Sequence, residues 1–430
     1  MMKNIIQPVK GTRDYYPEAM AVRSWLYSIA RKVAESFGYQ EYEAPFLESI
    51  DLYAAKSGEE LVKEQSYVFE DRGGNLITLR PELTPSLARM IAQRQGQLTF
   101  PLRWWSFGPF WRYERPQKGR SREFFQWNVD LIGAADPAAD AEVVAVLATF
   151  FREVGLTPQD TLIMVNSRQL VEKELDKLGI ASDDRRAVFR LVDRRAKMSQ
   201  PDWESYAAEM GLSAMQIDGL IKLLSNDKLW ERSPELCRFF PAIEAMGVQE
   251  FVRFAPNIIR GLDYYTGIVF EAQAVRSDLR RSLLGGGRYD DLLADVGGEA
   301  LPATGYALGD LAISIFLEEL QLIPKDLGRS PASVLVTVFD RDGLLDALAL
   351  SADLRRAGLN ITCYPGDEKL AKQLKYADRA GFRFVIVRGP DEIARDEVAI
   401  KDLASREQFS VPRTAATTAI RQRLDNPVPS

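Results

Sequence analysis

Residues Arg103–Gly133 read RWWSFGPFWRYERPQKGRSREFFQWNVDLIG, two runs of alternating residues around a tight, strongly basic turn. A strand over the second run puts Gln126, Asn128 and Asp130 on one face and Phe125, Trp127, Val129 and Leu131 on the other, because successive side chains of a strand point to opposite sides. A polar row on an otherwise apolar strand belongs either to a solvated hairpin face or to a site. The turn favours the site. Arg112, Arg115, Lys118, Arg120 and Arg122 gather five cations around it, and arginine forks match phosphate oxygens two at a time. A polyphosphate such as ATP suits these charges.

RYERPQKGR, at Arg112–Arg120, resembles motif 2 of the class II aminoacyl-tRNA synthetases in the wording of the histidyl-tRNA synthetases. Three more stretches are similar to that family: GTRDYYPE at Gly11–Glu18, LRPELTPSLAR at Leu79–Arg89, and RGLDYYTGIVFE at Arg260–Glu271, which is similar to its histidine-binding signature. The resemblance covers most of the chain. It implies an α+β catalytic core with an antiparallel sheet over residues 1–166 and 248–325, a helical insertion over 167–247, and a C-terminal α/β anticodon-binding domain over 331–430. The implied reaction is ATP-dependent activation of histidine followed by transfer to the 3′ end of tRNA(His), with Mg2+ accompanying ATP and a homodimer as the assembly.

Residue roles follow from the same resemblance. Arg112 bridges the amino-acid carboxylate and the α-phosphate, Glu114 reads the adenine amino group, and Arg120 reaches the outer phosphates. Arg260 matches the signature arginine that acts near the α-phosphate, so Arg260 and Arg112 are the candidate catalytic residues. Glu82, Thr84 and Gln126 hold the amino end of histidine, while Asp130 and Tyr265, with Tyr264 nearby, read the imidazole. These are the right types chemically, since a site that hydrogen-bonds its substrate rejects analogues that leave buried polar groups unpaired. Asp130 stands where many relatives have the longer Glu. In GYALGDLAISIF, Ala312 occupies the place of the motif 3 arginine. Either Arg288 or a motif 2 loop arginine covers the outer phosphates instead, or the chain is a non-catalytic relative serving as the regulatory subunit of ATP phosphoribosyltransferase.

Composition narrows the chemistry further. The 430 residues are 46% hydrophobic and 27% charged, which leaves room for two or three globular domains. The net charge of −6 argues against a surface coated for non-specific nucleic-acid binding, so RNA contact has to be local. Cys237 and Cys363 form no CxxC, no protein metal site is indicated, and a reducing cytoplasm fits. Neither an apolar signal-peptide core at the start nor an apolar run long enough for a bilayer stands out, so no membrane partner is expected. The chain contains no histidine. That excludes Ser-His-Asp hydrolysis and imidazole bases, whereas a carboxylate attacking phosphorus needs no base because it is already ionised.

Periodicity supplies the organisation. Val22, Trp25, Leu26, Ile29 and Val33 predict a helix over Pro17–Phe37, stopping at Gly38. Class II resemblance places Pro45, in the strand that follows, at a dimer interface, and an edge-strand proline is the plain alternative. Strands are expected at Leu76–Arg80 and Asp160–Asn166. Residues 167–247 turn helical and charge-rich, and the basic run Arg185, Arg186, Arg190, Arg194, Arg195 and Lys197 reads as a solvated helix face or a modest RNA contact. After the linker Gln321–Pro331, strands at Ser333–Phe339, Asn360–Tyr364 and Phe382–Arg388 alternate with helices at Asp342–Ala357 and Glu368–Ala380, which predicts parallel pairing. Lys369, Lys372, Lys375 and Arg379 mark a basic helix side. GGGRYD at Gly285–Asp290 lacks the spacing of a dinucleotide loop.

Overall fold

The computed structural model describes residues 5–54, 64–117, 119–195, 198–259, 264–276, 282–325, 327 and 330–425. Arg260, Lys118 and Lys197 lie outside the described residues. The chain divides into two compact units, Met1–Pro324 and Lys325–Ser430.

The first unit is built on an eight-stranded sheet in the order Gln40–Glu41, Leu102–Trp111, Glu123–Ile132, Ala303–Gly309, Ser282–Arg288, Ile268–Ala274, Thr161–Ser167, Val252–Phe254. The inner junctions are antiparallel, but both edge strands pair in parallel with their neighbours. The antiparallel core sheet is the expected one, and the two parallel edge strands extend it. Val252–Phe254 returns to Thr161–Ser167 only after a long helical excursion, and parallel neighbours need such a crossover.

Helices cover one face. The helix Pro137–Glu153 is apolar nearly all round, with Val143 through Ala148 buried, as a helix sandwiched in a core must be. It shares a single hydrophobic cluster with Leu26 and Val33 of the helix Pro17–Ser36, with Phe316 of Asp310–Glu319, and with Trp127, Val129 and Leu131 of the hairpin strand. The helices between residues 168 and 245 contribute Leu175, Trp203 and Phe239 to the same cluster, and Pro234–Ala245 packs on Pro137–Glu153. They therefore support the sheet's covering layer from outside.

The second unit has a five-stranded sheet in the order Ile361–Cys363, Val334–Val336, Phe384–Val387, Glu397–Asp402, Gln408–Pro412. Its first two junctions are parallel, with the helices Leu344–Arg356 and Leu370–Arg379 between the strands. The last two junctions are antiparallel and close a hairpin that the strand-helix alternation did not announce. Among the described residues no helix is long and apolar enough to cross a membrane.

Candidate active site

The uncovered face of the hairpin strand carries the site. In register across three strands, Asp130 lies beside Gly305 and Gly305 beside Gly287, while Asn128 lies beside Ala307 and Ala307 beside Gly285. The neighbours of the polar row are thus as small as residues come. A Cβ at Gly305 would overlap the Asp130 carboxylate, and one at Gly287 would press the Tyr265 ring at 2.9 Å. What these side chains leave empty is a cavity of about 560 Å³, within the usual range for small-molecule sites.

Glu82, Thr84, Arg112, Glu114, Arg120, Gln126, Asp130, Tyr264 and Tyr265 all line this one cavity. Several are held by the backbone around them. Arg112 Nε donates to the Pro81 carbonyl at 2.9 Å, and its guanidinium stands 5.4 Å from the Phe124 ring. Arg120 pairs with Glu114 at 2.7 Å and is half exposed. Arg115 and Arg122 depart from the expected converging set. Arg115 is exposed and does not line the cavity. Arg122 is turned away, lying over the Tyr113 ring at 4.0 Å and donating to the carbonyls of Glu114 and Lys10.

At the other end the site is walled by buried polar and aromatic side chains. Asp130 is buried, and Tyr289 donates to its Oδ1 at 2.5 Å. Burial pushes the Asp130 carboxyl up to about 7, against the opposing hydrogen bond from Tyr289, since a carboxylate out of water is disfavoured in its charged form. Tyr264 and Tyr265 face each other with ring centroids 4.9 Å apart, and Tyr264 meets Tyr289 edge-on at 6.2 Å. Asn128, also on the cavity wall, has its Nδ2 buried with no hydrogen-bond partner among the described residues. A substrate acceptor there would relieve the cost of that orphan donor. Sequence reasoning passed over Tyr289 as a site residue. Its one signal was the RYD at the end of a glycine run, which places an aromatic hydroxyl next to residues that cannot fill the space.

Arg288 is not the outer-phosphate cation that the missing motif 3 arginine called for. Its guanidinium is buried away from the cavity, bonded to Asp140 at 2.5 Å and to the Ala134 carbonyl at 3.2 Å. The strand turns it towards the helix start at Pro137, where Nη2 also donates to the Asp136 carbonyl at 3.4 Å. Leu311 and Ala312 do line the cavity, so that stretch of wall carries no charge.

The sheet, the arginine-bearing hairpin and the separate α/β unit make the fold that of a class II aminoacyl-tRNA synthetase. Residues 11–312 match the histidyl-tRNA synthetase family and residues 333–423 match the anticodon binding domain. The chain is 38% identical to a histidine–tRNA ligase of Haloarcula marismortui, over 95% of this chain and 96% of that protein. It is 33% identical to one of Leptospira biflexa, over 96% and 97%. The fold is similar to the crystal structure of histidyl-tRNA synthetase from Nostoc sp. PCC 7120, with a TM-score of 0.83, 24% identity, and coverage of 98% of this chain and 100% of that one. The chain belongs to the histidyl-tRNA synthetase family.

Proposed function

We propose that this chain joins histidine to ATP as histidyl-adenylate and transfers the histidyl group to the 3′ end of tRNA(His). The observation that carries the reading is the single cavity with Arg112, Glu114 and Arg120 at one end and Gln126, Asp130 and Tyr265 at the other. A carboxylate oxygen of histidine attacks the α-phosphorus and pyrophosphate leaves. Arg112 supplies positive charge to the crowded oxygens as that bond forms, a service most valuable in a water-poor site. Arg260 is assigned the same role on family resemblance. Glu82, Thr84 and Gln126 hold the α-ammonium end, and Asp130 with Tyr265 takes the imidazole. Magnesium enters with the phosphates of ATP rather than as a resident metal.

The exposed basic side Lys369, Lys372, Lys375 and Arg379 supports anticodon contact. In the helical segment, Arg185 is already paired with Glu172 and Asp176, so any RNA contact there falls to the other arginines of the run. A homodimer through the Pro45 region is supported by exposed Pro45, Phe46 and Leu47, an apolar run of the kind that marks interfaces.

One observation favours the second reading, a regulatory paralogue without catalysis: the uncharged wall at Leu311 and Ala312. Histidine-dependent exchange of pyrophosphate into ATP separates the two. Exchange above the histidine-free rate, followed by charging of tRNA(His), sustains the first reading, and its absence at saturating substrates sustains the second.

A further inference from the structure

The ATP-side wall of the cavity is tied to a part of the chain far away in sequence. Arg122 N and Ser121 Oγ both donate to the Gly11 carbonyl, at 2.7 and 2.6 Å, and Arg122 Nη1 donates to the Lys10 carbonyl at 3.3 Å. The turn presenting these carbonyls is closed by Thr12, whose N and Oγ1 both donate to the Val9 carbonyl at 2.9 and 2.7 Å. Gly11 has φ +88°, and a Cβ there would lie 2.7 Å from the Arg122 side chain and 3.1 Å from Pro116. Only glycine takes that backbone conformation cheaply and also admits the arginine.

The same segment then reaches the second ATP-side wall. Tyr15 stacks on Arg23 at 3.6 Å, and the other side of that guanidinium meets Phe125 at 3.7 Å. Arg23 Nε stands 3.3 Å from Asp310, whose Oδ1 accepts from Phe125 N at 3.0 Å. Asp310 opens the helix that carries Leu311 and Ala312 into the cavity. One short stretch of chain thus touches the turn bearing Arg120 through Lys10 and Gly11, and its own Arg13 stands 4.0 Å from Asp310 at the start of the helix bearing Ala312.

We propose that Lys10–Tyr15 is a positioning strap for the ATP side of the cavity, with Gly11 as its fixed point and Arg122 as its clasp. Arg122, one of the five loop cations, then acts through geometry rather than by meeting phosphate. The proposal rests on the reading of this cavity as an ATP site.

The test compares Gly11→Ala and Arg122→Lys with the full-length protein in pyrophosphate exchange and in backbone hydrogen exchange. Loss of two or three hydrogen bonds to the loop raises the KM for ATP about tenfold, while the KM for histidine stays within about twofold because none of the residues assigned to its ammonium end or its ring lies in the 112–122 loop. Hydrogen exchange should quicken over residues 112–122 and stay unchanged over 126–132. Arg122→Lys keeps the charge but loses the fork, so it should resemble Gly11→Ala. A wild-type KM for ATP in Arg122→Lys would overturn the clasp, and an unchanged loop in Gly11→Ala would overturn the strap. A parallel rise in both KM values, with faster exchange across the sheet, would show general damage and overturn the positioning claim. If the unaltered protein shows no exchange of pyrophosphate, the ATP reading falls by itself. Hydrogen exchange over residues 112–122 then decides the strap alone, faster exchange sustaining it and no change overturning it.

Discussion

Tyr289 donates its hydroxyl hydrogen to Asp130 Oδ1 at 2.5 Å inside a buried pocket, and no lysine or arginine is bonded to that carboxylate among the described residues. Burial, the larger influence, raises the carboxyl to about 7, and Tyr289 opposes the rise. Histidine's own ring titrates at about 6.5, so ring and carboxyl should share one proton in the complex. Above pH 7 that proton has to be taken up on binding, and below pH 6 one has to be lost. The KM for histidine should therefore pass through a minimum between roughly pH 6 and 7. Asp130→Asn should erase the rise on the alkaline side and leave the acid side. A flat profile in the unaltered protein would remove Asp130 from ring recognition.

The same shift has a consequence for stability, with the opposite sign from a salt-bridged carboxylate. A group whose folded pKa is raised stabilises the fold at low pH and loses that contribution as pH climbs through the folded value. Between about pH 4 and 7 the ligand-free protein should lose stability relative to Asp130→Asn. Urea unfolding of both proteins at pH 5 and pH 8 measures the difference.

Arg112→Ala should reduce histidine-dependent exchange about a hundredfold, a loss on the order of 3 kcal/mol of transition-state stabilisation. Arg112→Lys should recover little of it, because a point charge cannot bridge carboxylate and phosphate as a fork does. Near-complete rescue by lysine would reduce Arg112 to a source of charge.

How far the sequence could be read follows from where its signals are local. Alternation over Glu123–Ile132 sufficed to separate the cavity row from Trp127 and Val129, because a strand with a helix layer on one side and a pocket on the other keeps period two. Helical spacing over Pro17–Ser36 and the strand-helix alternation after Val334 were equally local. Arg288 was misread because its partner Asp140 is 148 residues away, and nothing near Gly285 says which side of the sheet the arginine faces. The Gly11 contact with Arg122 was hidden for the same reason. Glycine announces room, but not the side chain that occupies it.

Arg288 and Asp140 supply a stability prediction. Both side chains are almost fully buried, at 6% and 0% exposure. Burial still holds Asp140 up at about 6 despite the guanidinium beside it. Arg288→Met would leave a carboxyl buried without its cation, a loss of about 3–5 kcal/mol. Replacing both, with Asp140→Leu added, should recover most of that in urea unfolding. Equal instability of the single and double variants would mean that packing, not charge, dominates there.

Ala312→Arg tests which wall meets the outer phosphates. Ala312 lies at the cavity surface with its helix packed on the core behind it, so a longer side chain has the cavity as its outlet. A new charge-assisted bond contributes about 1.5–3 kcal/mol, which would lower the KM for ATP roughly tenfold or more. A higher KM for ATP would instead place the phosphates elsewhere and make the small residue a requirement.

Ending the chain before Arg329 should leave histidine activation nearly intact while reducing charging of tRNA(His) severely. The first step needs only the cavity, and every described residue lining it lies between Gln65 and Ala312. The two units also have separate cores. Trp127, Phe151 and Phe316 belong to one, whereas Val334, Leu350, Phe384 and Ile400 close another within the C-terminal unit. Transfer is different, because the tRNA must be held while its terminal hydroxyl reaches the adenylate, and the exposed cations Lys369, Lys372, Lys375 and Arg379 leave with the deleted unit. Backbone phosphate contacts dominate such binding and weaken steeply with salt. The truncated protein should accordingly show pyrophosphate exchange within about threefold of the full chain, a shift of under 1 kcal/mol, and charging that is both slower and less sensitive to salt. Loss of exchange and charging in equal measure would assign the C-terminal unit to assembly or folding, and the basic helix side would lose its claim to RNA.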